Sequence, residues 1–146
     1  KKVQFKPMPQ FAPEAFQILR AKSLGKYKAF RKGLDQLAAE GVVQILKNEA
    51  RGDASPVMAA VGPMQFEVMQ ARMEFEYNVE TVTEPIPYSV ARRTDAESAP
   101  ELGRQRGVEI FTRQDGELIA LFGDKWKLAF IEKEHPELTM ETLVAD

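Results

Sequence analysis

Cysteine is absent from this chain, and histidine occurs once, at His135. The first absence excludes disulfides, thiolate metal sites and cysteine nucleophiles, and it fits a reducing compartment. The second excludes a two-histidine metal site and a histidine relay pair. No G-x-x-x-x-G-K-[ST] is present, so a phosphate cradle of the P-loop kind is missing. No apolar run approaches the length that spans a bilayer, and no signal peptide opens the chain. An excess of one charge is lacking too. Twenty Lys and Arg against 22 Asp and Glu leave a net charge of −2, so any RNA contact has to come from a local patch. The first residue is Lys1 rather than Met, which reads as a piece of a longer protein.

What is there is ordinary material for a globular fold. The 146 residues are enough for one sizeable domain or two small ones. Residues 1–9 end in Pro-Met-Pro and read as a tail or linker from a preceding domain. A strand is expected over 15–20. Residues 26–40 read as a helix, because Tyr27, Phe30, Leu34 and Leu37 recur at three- and four-residue spacing and share one face. Gly41 stands where a helix C-terminus favours a left-handed residue. Strands follow over 42–46 and 57–61. Pro63 suits the first turn of a second helix, where its missing N–H costs nothing, and that helix runs to about Tyr77. Asn78 caps it, and a strand returns over 79–82. The order β-α-β-β-α-β over 10–86 is the split βαβ pattern.

Residues 87–146 repeat this plan without repeating the sequence, as a second, smaller α+β unit packed on the first. A strand is expected over 88–92. Ser98-Ala99-Pro100-Glu101 reads as a capping box for a short helix that stops at Gly107. Strands over 108–112 and 117–122 flank Gln114-Asp115-Gly116, a hairpin signal. Asp124 caps a helix through Glu134 with Trp126, Ala129 and Phe130 inward, Pro136 ends it, and 138–140 forms a last strand. The fold class expected is α+β, two consecutive ferredoxin-like units.

Catalytic constellations are poorly supported. His135 falls at a helix end beside Pro136 and reads as a surface residue. Ser23, Ser55, Ser89 and Ser98 sit in turn, strand-start or capping contexts. Glu132, Glu134, Glu137 and Glu141 are dense, but nothing nearby in sequence would raise a carboxyl pKa for acid–base work.

Two features point instead to docking. Lys26, Lys28, Arg31 and Lys32 crowd the outer face of the first helix, which suits either a grip on RNA phosphates or a solvated face. The second helix carries two nearly opposite apolar stripes, Met64-Val68-Ala71-Phe75 and Phe66-Met69-Met73-Tyr77. One sheet needs only one stripe. Phe66, Met69, Met73 and Tyr77 are therefore assigned to packing between the two units, with an intermolecular surface as the alternative.

Four segments also carry a resemblance: Phe11-Ala12-Pro13-Glu14, Lys32-Gly33-Leu34-Asp35-Gln36-Leu37, Glu40-Gly41-Val42-Val43-Gln44 and Val61-Gly62-Pro63-Met64-Gln65-Phe66-Glu67-Val68. Together they resemble the post-barrel region of the bacterial peptide chain release factor three family, over roughly residues 10–82. The last of them also resembles the third domain of elongation factor G, a split βαβ domain. The resemblance implies the ribosome-docking C-terminal region of a translation-termination GTPase that removes codon-reading release factors from the ribosome after peptide release. It implies a cytoplasmic protein, a G domain and β-barrel acting in cis, a monomer and no membrane partner. GTP and Mg²⁺ belong to that G domain, so no catalytic, cofactor-binding or metal residue is assigned to this chain. The alternatives are a domain of another translational GTPase, such as an elongation factor G relative, and a stand-alone ferredoxin-like ligand-binding module.

Overall fold

The structure is a computed structural model that describes Pro13, residues 15–52 and residues 55–143. The expected tail over 1–9 lies outside the described residues, as do all but Pro13 of the Phe11–Glu14 match. Strand β1 (Ala15–Ala21) leads through a 3₁₀ turn (Leu24–Lys26) into α1 (Tyr27–Ala39). Strands β2 (Gln44–Lys47) and β3 (Val57–Ala60) precede α2 (Pro63–Tyr77) and β4 (Thr81–Pro85). The second half contains β5 (Val90–Thr94), α3 (Ala99–Arg104), β6 (Val108–Arg113), β7 (Leu118–Phe122) and α4 (Lys125–Glu134).

Local chemistry explains the boundaries. Gly41, Gly107 and Gly116 take positive φ after α1, after α3 and in the β6–β7 turn. Asn78 does the same after α2, with φ 58°. At the start of α2, the Gly62 N–H donates to Gln65 Oε1 at 3.1 Å. Asp124 Oδ1 accepts from the Lys127 N–H at 2.8 Å and caps α4, as its sequence position suggests.

The seven strands among the described residues form one sheet, in the order β4-β1-β3-β2-β6-β7-β5. Every pairing between them is antiparallel. The first half has the order 4-1-3-2 of the split βαβ plan. The second follows the same order, except that its fourth strand has shrunk to a bridge between Arg93 and Glu141 on the free side of β5. The equivalent strands β2 and β6 join the halves through two register pairs, Leu46 with Arg113 and Lys47 with Thr112.

Three apolar cores result. In the first, Phe30, Leu34 and Leu37 of α1 meet Phe66, Met69 and Met73 of α2 over Leu19, Ile45 and Met58. In the last, Leu102 of α3 and Leu128 and Ile131 of α4 cover Val90, Val108, Ala120 and Phe122. The middle core takes the alternate strand positions from both halves: Phe16, Leu46, Val57 and Ala59 with Ala91, Phe111, Ile119 and Leu121. Val57, Ala59 and Leu121 are fully buried there without a helix above them. The helix-free faces of the two half-sheets therefore cover each other.

Several sequence expectations need correction. Phe66, Met69, Met73 and Tyr77 do not pack against the second unit; they belong to the first unit's own core. The reason is that the sheet faces already provide the inter-unit contact, so α2 is free to press against α1. A Cβ added at Gly33 would stand 2.6 Å from Met73 Sδ, which shows how closely the two helices approach. Trp126, Ala129 and Phe130 point outward, because Leu128 and Ile131 are the side chains that reach the strands beneath α4. Ser98 does not cap α3. Its N–H donates to Asp95 Oδ1 at 2.7 Å, and its hydroxyl accepts from the Thr139 N–H at 2.9 Å, pinning the C-terminal segment. Residues 138–140 form no strand, and Val79 is buried in coil before β4 begins at Thr81.

Candidate docking surface

The buried side of α1 is set by Phe30, Gly33, Leu34 and Leu37, so its intervening cations face out. Lys28 and Lys32 are exposed, one turn apart and about 6 Å along the axis. Lys26 is half-buried at the last residue of the 3₁₀ turn, and Arg31 is half-buried and donates from Nη1 to the Tyr27 hydroxyl at 3.2 Å. All four residues assigned from sequence thus gather on the first two turns. Among the described residues, Lys28 and Lys32 have no carboxylate within ion-pair distance. Four other cations of this half are committed: Arg20 to Glu84, Lys22 to Glu80, Arg51 to Glu109, and Arg72 to Glu40 and Glu76.

The Arg72 pair fixes this surface against α2. Its guanidinium reaches Glu40 Oε1 at 2.5 Å, at the end of α1, and Glu76 Oε2 at 2.8 Å, one turn along α2. Hydrogen bonding from Arg72, helped by Gln36, holds the Glu40 carboxyl down to about 2. The same guanidinium holds Glu76 below the usual carboxylate range.

A second polar cluster closes the seam between the halves. Arg51 donates to both Glu109 oxygens, at 2.6 and 2.7 Å, and its guanidinium carbon lies 5.8 Å from the centre of the Phe111 ring. Asn48 Nδ2 donates to Glu109 Oε2 at 3.0 Å and to the Ile110 carbonyl at 3.1 Å, and the Tyr88 hydroxyl donates to Glu109 Oε1 at 2.9 Å. Burial pushes the Glu109 carboxyl up, but hydrogen bonds from Arg51 and Tyr88 outweigh it and leave the group below its ordinary range. Burial and the bond to Glu109 raise the Tyr88 phenol. Sequence reasoning missed this clasp. Its hydrogen-bonded members are separated by up to 62 positions, and no local pattern links them.

Elsewhere among the described residues, no acid–base or metal-ligating cluster converges. Among the described residues, no three His, Asp or Glu side chains stand close enough to hold a metal ion. His135 caps the end of α4 with Nδ1 3.5 Å from Glu137. An open cavity of about 440 Å³ at the β2–β6 seam is lined by Lys47, Asn48, Glu49, Ile110 and Thr112 and contains no acid–base pair poised over a nucleophile. No helix among the described residues is long and apolar enough to cross a membrane.

The fold and its surfaces define an α+β module of two fused ferredoxin-like units whose distinctive side chains lie on its outer faces. A family model described as the class II release factor RF3, C-terminal domain, matches residues 5–132, and the chain belongs to that family as its C-terminal domain. It is similar to peptide chain release factor 3 of Synechococcus elongatus (strain ATCC 33912 / PCC 7942 / FACHB-805), with 39% identity over 145 residues, 98% of this chain and 26% of the relative. Peptide chain release factor 3 of Trichodesmium erythraeum (strain IMS101) is 39% identical over 142 residues, 96% of this chain and 26% of that protein. For Trichormus variabilis (strain ATCC 29413 / PCC 7937) the identity is 37% over 145 residues, 98% of this chain and 27% of the relative. The chain thus spans about a quarter of the length of the curated relatives it matches. The matched part is the C-terminal domain, which lacks the GTPase domain. The resemblance read from the sequence motifs is borne out.

Proposed function

We propose that this chain docks a translation-termination GTPase on the ribosome, as the domain through which the factor engages RNA phosphates while promoting departure of codon-reading release factors. The observation that carries the reading is the pair Lys28 and Lys32, exposed on a helix otherwise fastened at both its inner face and its far end. An unpaired ammonium group held on a rigid helix releases counterions when it meets a phosphate, which favours binding most at low salt. GTP and Mg²⁺ are handled by the G domain in cis, and the β-barrel and G domain move this module relative to the ribosome. The site of action is the cytoplasm.

The test is sedimentation of the intact factor with purified ribosomes across a salt series. Reversing Lys28 and Lys32 to Glu is expected to weaken binding at low salt. It should also flatten the salt dependence by about one unit of log–log slope for each phosphate that is no longer engaged. Folding survives, since exposed charge changes cost within about 0.5 kcal/mol each. Unchanged affinity at low salt would leave this face as a solvated surface.

A further inference from the structure

The outer face of α2 carries an apolar stripe that nothing among the described residues covers. Phe75 is 83% exposed and Met64 69%, with Val61 and Val68 also open and Ala71 between them. Met64 to Phe75 runs about 16 Å along the helix axis. The rim of the stripe is acidic. Glu67 and Glu74 line one side, and their carboxylates enter no ion pair or hydrogen bond among the described residues. On the other side Arg72 is shared between Glu40 and Glu76. Four carboxylates therefore frame the stripe against one guanidinium.

This pattern selects its occupant. Phosphates would meet like charge along the whole stripe. A neutral apolar surface would have to strip water from Glu67 and Glu74 and return nothing. A cationic protein surface covers the apolar side chains and pairs the rim at once. We propose that the α2 face docks a basic protein surface that presents an apolar side chain between Lys or Arg residues, and that it excludes RNA. The neighbouring α1 face, with Lys28 and Lys32, has the opposite preference. The partner chemistry is the same whether or not that partner is ribosomal.

The experiment places a photo-crosslinking amino acid at Phe75 of the intact factor in cells, and in a second strain at Met64. Both sites are open, so folding tolerates the substitution, and the Met64 strain decides if the first accumulates poorly. The expected product is a nuclease-resistant adduct with a protein that mass spectrometry identifies as basic, with an isoelectric point above about 9. Its yield should fall at least about fivefold in the Glu67→Lys, Glu74→Lys variant, which turns the rim against a cationic partner. A nuclease-sensitive adduct, an adduct with an acidic protein, one indifferent to the charge reversal, or no adduct at either site overturns the proposal. Co-sedimentation with ribosomes is scored on the same strains. Abolished sedimentation with the adduct intact counts against ribosome docking alone, and retained sedimentation with an RNA adduct counts against the basic-protein partner alone.

Discussion

The two halves of the molecule follow one topology with unequal material. The first has helices of 13 and 15 residues and a fourth strand that pairs with β1 at five positions. The second has helices of 6 and 10 residues, and a single bridge replaces its fourth strand. Yet the strand order is the same, and so is the use of the helix-free face. Strand order and a shared central core define this fold, whereas helix length is free to vary. The smaller half gains through the seam what it lacks in its own layer: backbone pairing of β2 with β6, the Arg51–Glu109 clasp, and Ile45 N–H donating to Gln114 Oε1 at 2.8 Å.

The strongest way to break this comparison is to cut into each core separately. Phe111→Ala empties the shared core, where Phe111 is 1% exposed, and Met73→Ala empties the core of the first half alone. Each should cost about 2–5 kcal/mol. If the halves are one cooperative body, calorimetry shows a single transition moved down in both variants. A split transition in Phe111→Ala with an intact first half would mean the halves fold independently.

The clasp should matter next. Glu109→Gln leaves the partly buried Arg51 without a carboxylate, at a cost of about 1–3 kcal/mol by urea unfolding near neutral pH. The pH dependence has a definite sign. A carboxyl held below its ordinary range in the fold contributes fully above that range and loses its contribution as pH falls through the folded value. The gap between the native chain and Glu109→Gln should therefore narrow on acidification, and a gap that widens would place the clasp elsewhere. The contribution of Glu40, whose carboxyl is held down to about 2, should be lost as pH falls from the ordinary value of 4.5 to about 2.

Much of the fold was legible because its signals are local. The spacing of Phe30, Leu34 and Leu37, Pro63 at a helix start, Asn78 at its end and Gly116 in a hairpin each fix a short stretch of backbone. What was illegible depends on partners far along the chain. The second apolar stripe of α2 is real, but sequence could not tell which stripe faces in, since both have methionine and aromatic residues at helical spacing. The choice is made by α1, whose Gly33 admits Met73 and Tyr77. Likewise Ser98 looked like a cap until Thr139 claimed its hydroxyl. Of the docking residues, the basic face and the Glu67, Glu74 and Glu76 part of the acidic rim lie at helical spacing in the sequence, while the share of Glu40 became visible only when Glu40 of α1 met Arg72 of α2.

An intermediate effect is expected where the second half substitutes a bridge for a strand. Ser98→Ala removes the acceptor for the Thr139 N–H and should cost about 1 kcal/mol. Hydrogen exchange should show faster opening of residues 138–143 with α1 and α2 unaffected. Faster exchange throughout would mean that the C-terminal segment is as integral to the second half as β4 is to the first.

The smallest effect on stability is expected at α4, and it gives the sharpest test of which way that helix faces. Trp126 is 84% exposed, and Phe130, one turn on, is also open, while Leu128 and Ile131 hold the helix down. Trp126→Ser and Phe130→Ser should each change stability by no more than about 0.5 kcal/mol, against about 2–5 kcal/mol for Ile131→Ala. Because Trp126 is the only tryptophan, its fluorescence reports this helix alone. Emission from the folded chain should already resemble that of tryptophan in water, should be quenched efficiently by a small soluble quencher, and should shift little on unfolding. A blue-shifted, protected emission that moves red in denaturant would turn α4 over. It would put Trp126 and Phe130 in the second half's core and leave Leu128 and Ile131 facing water.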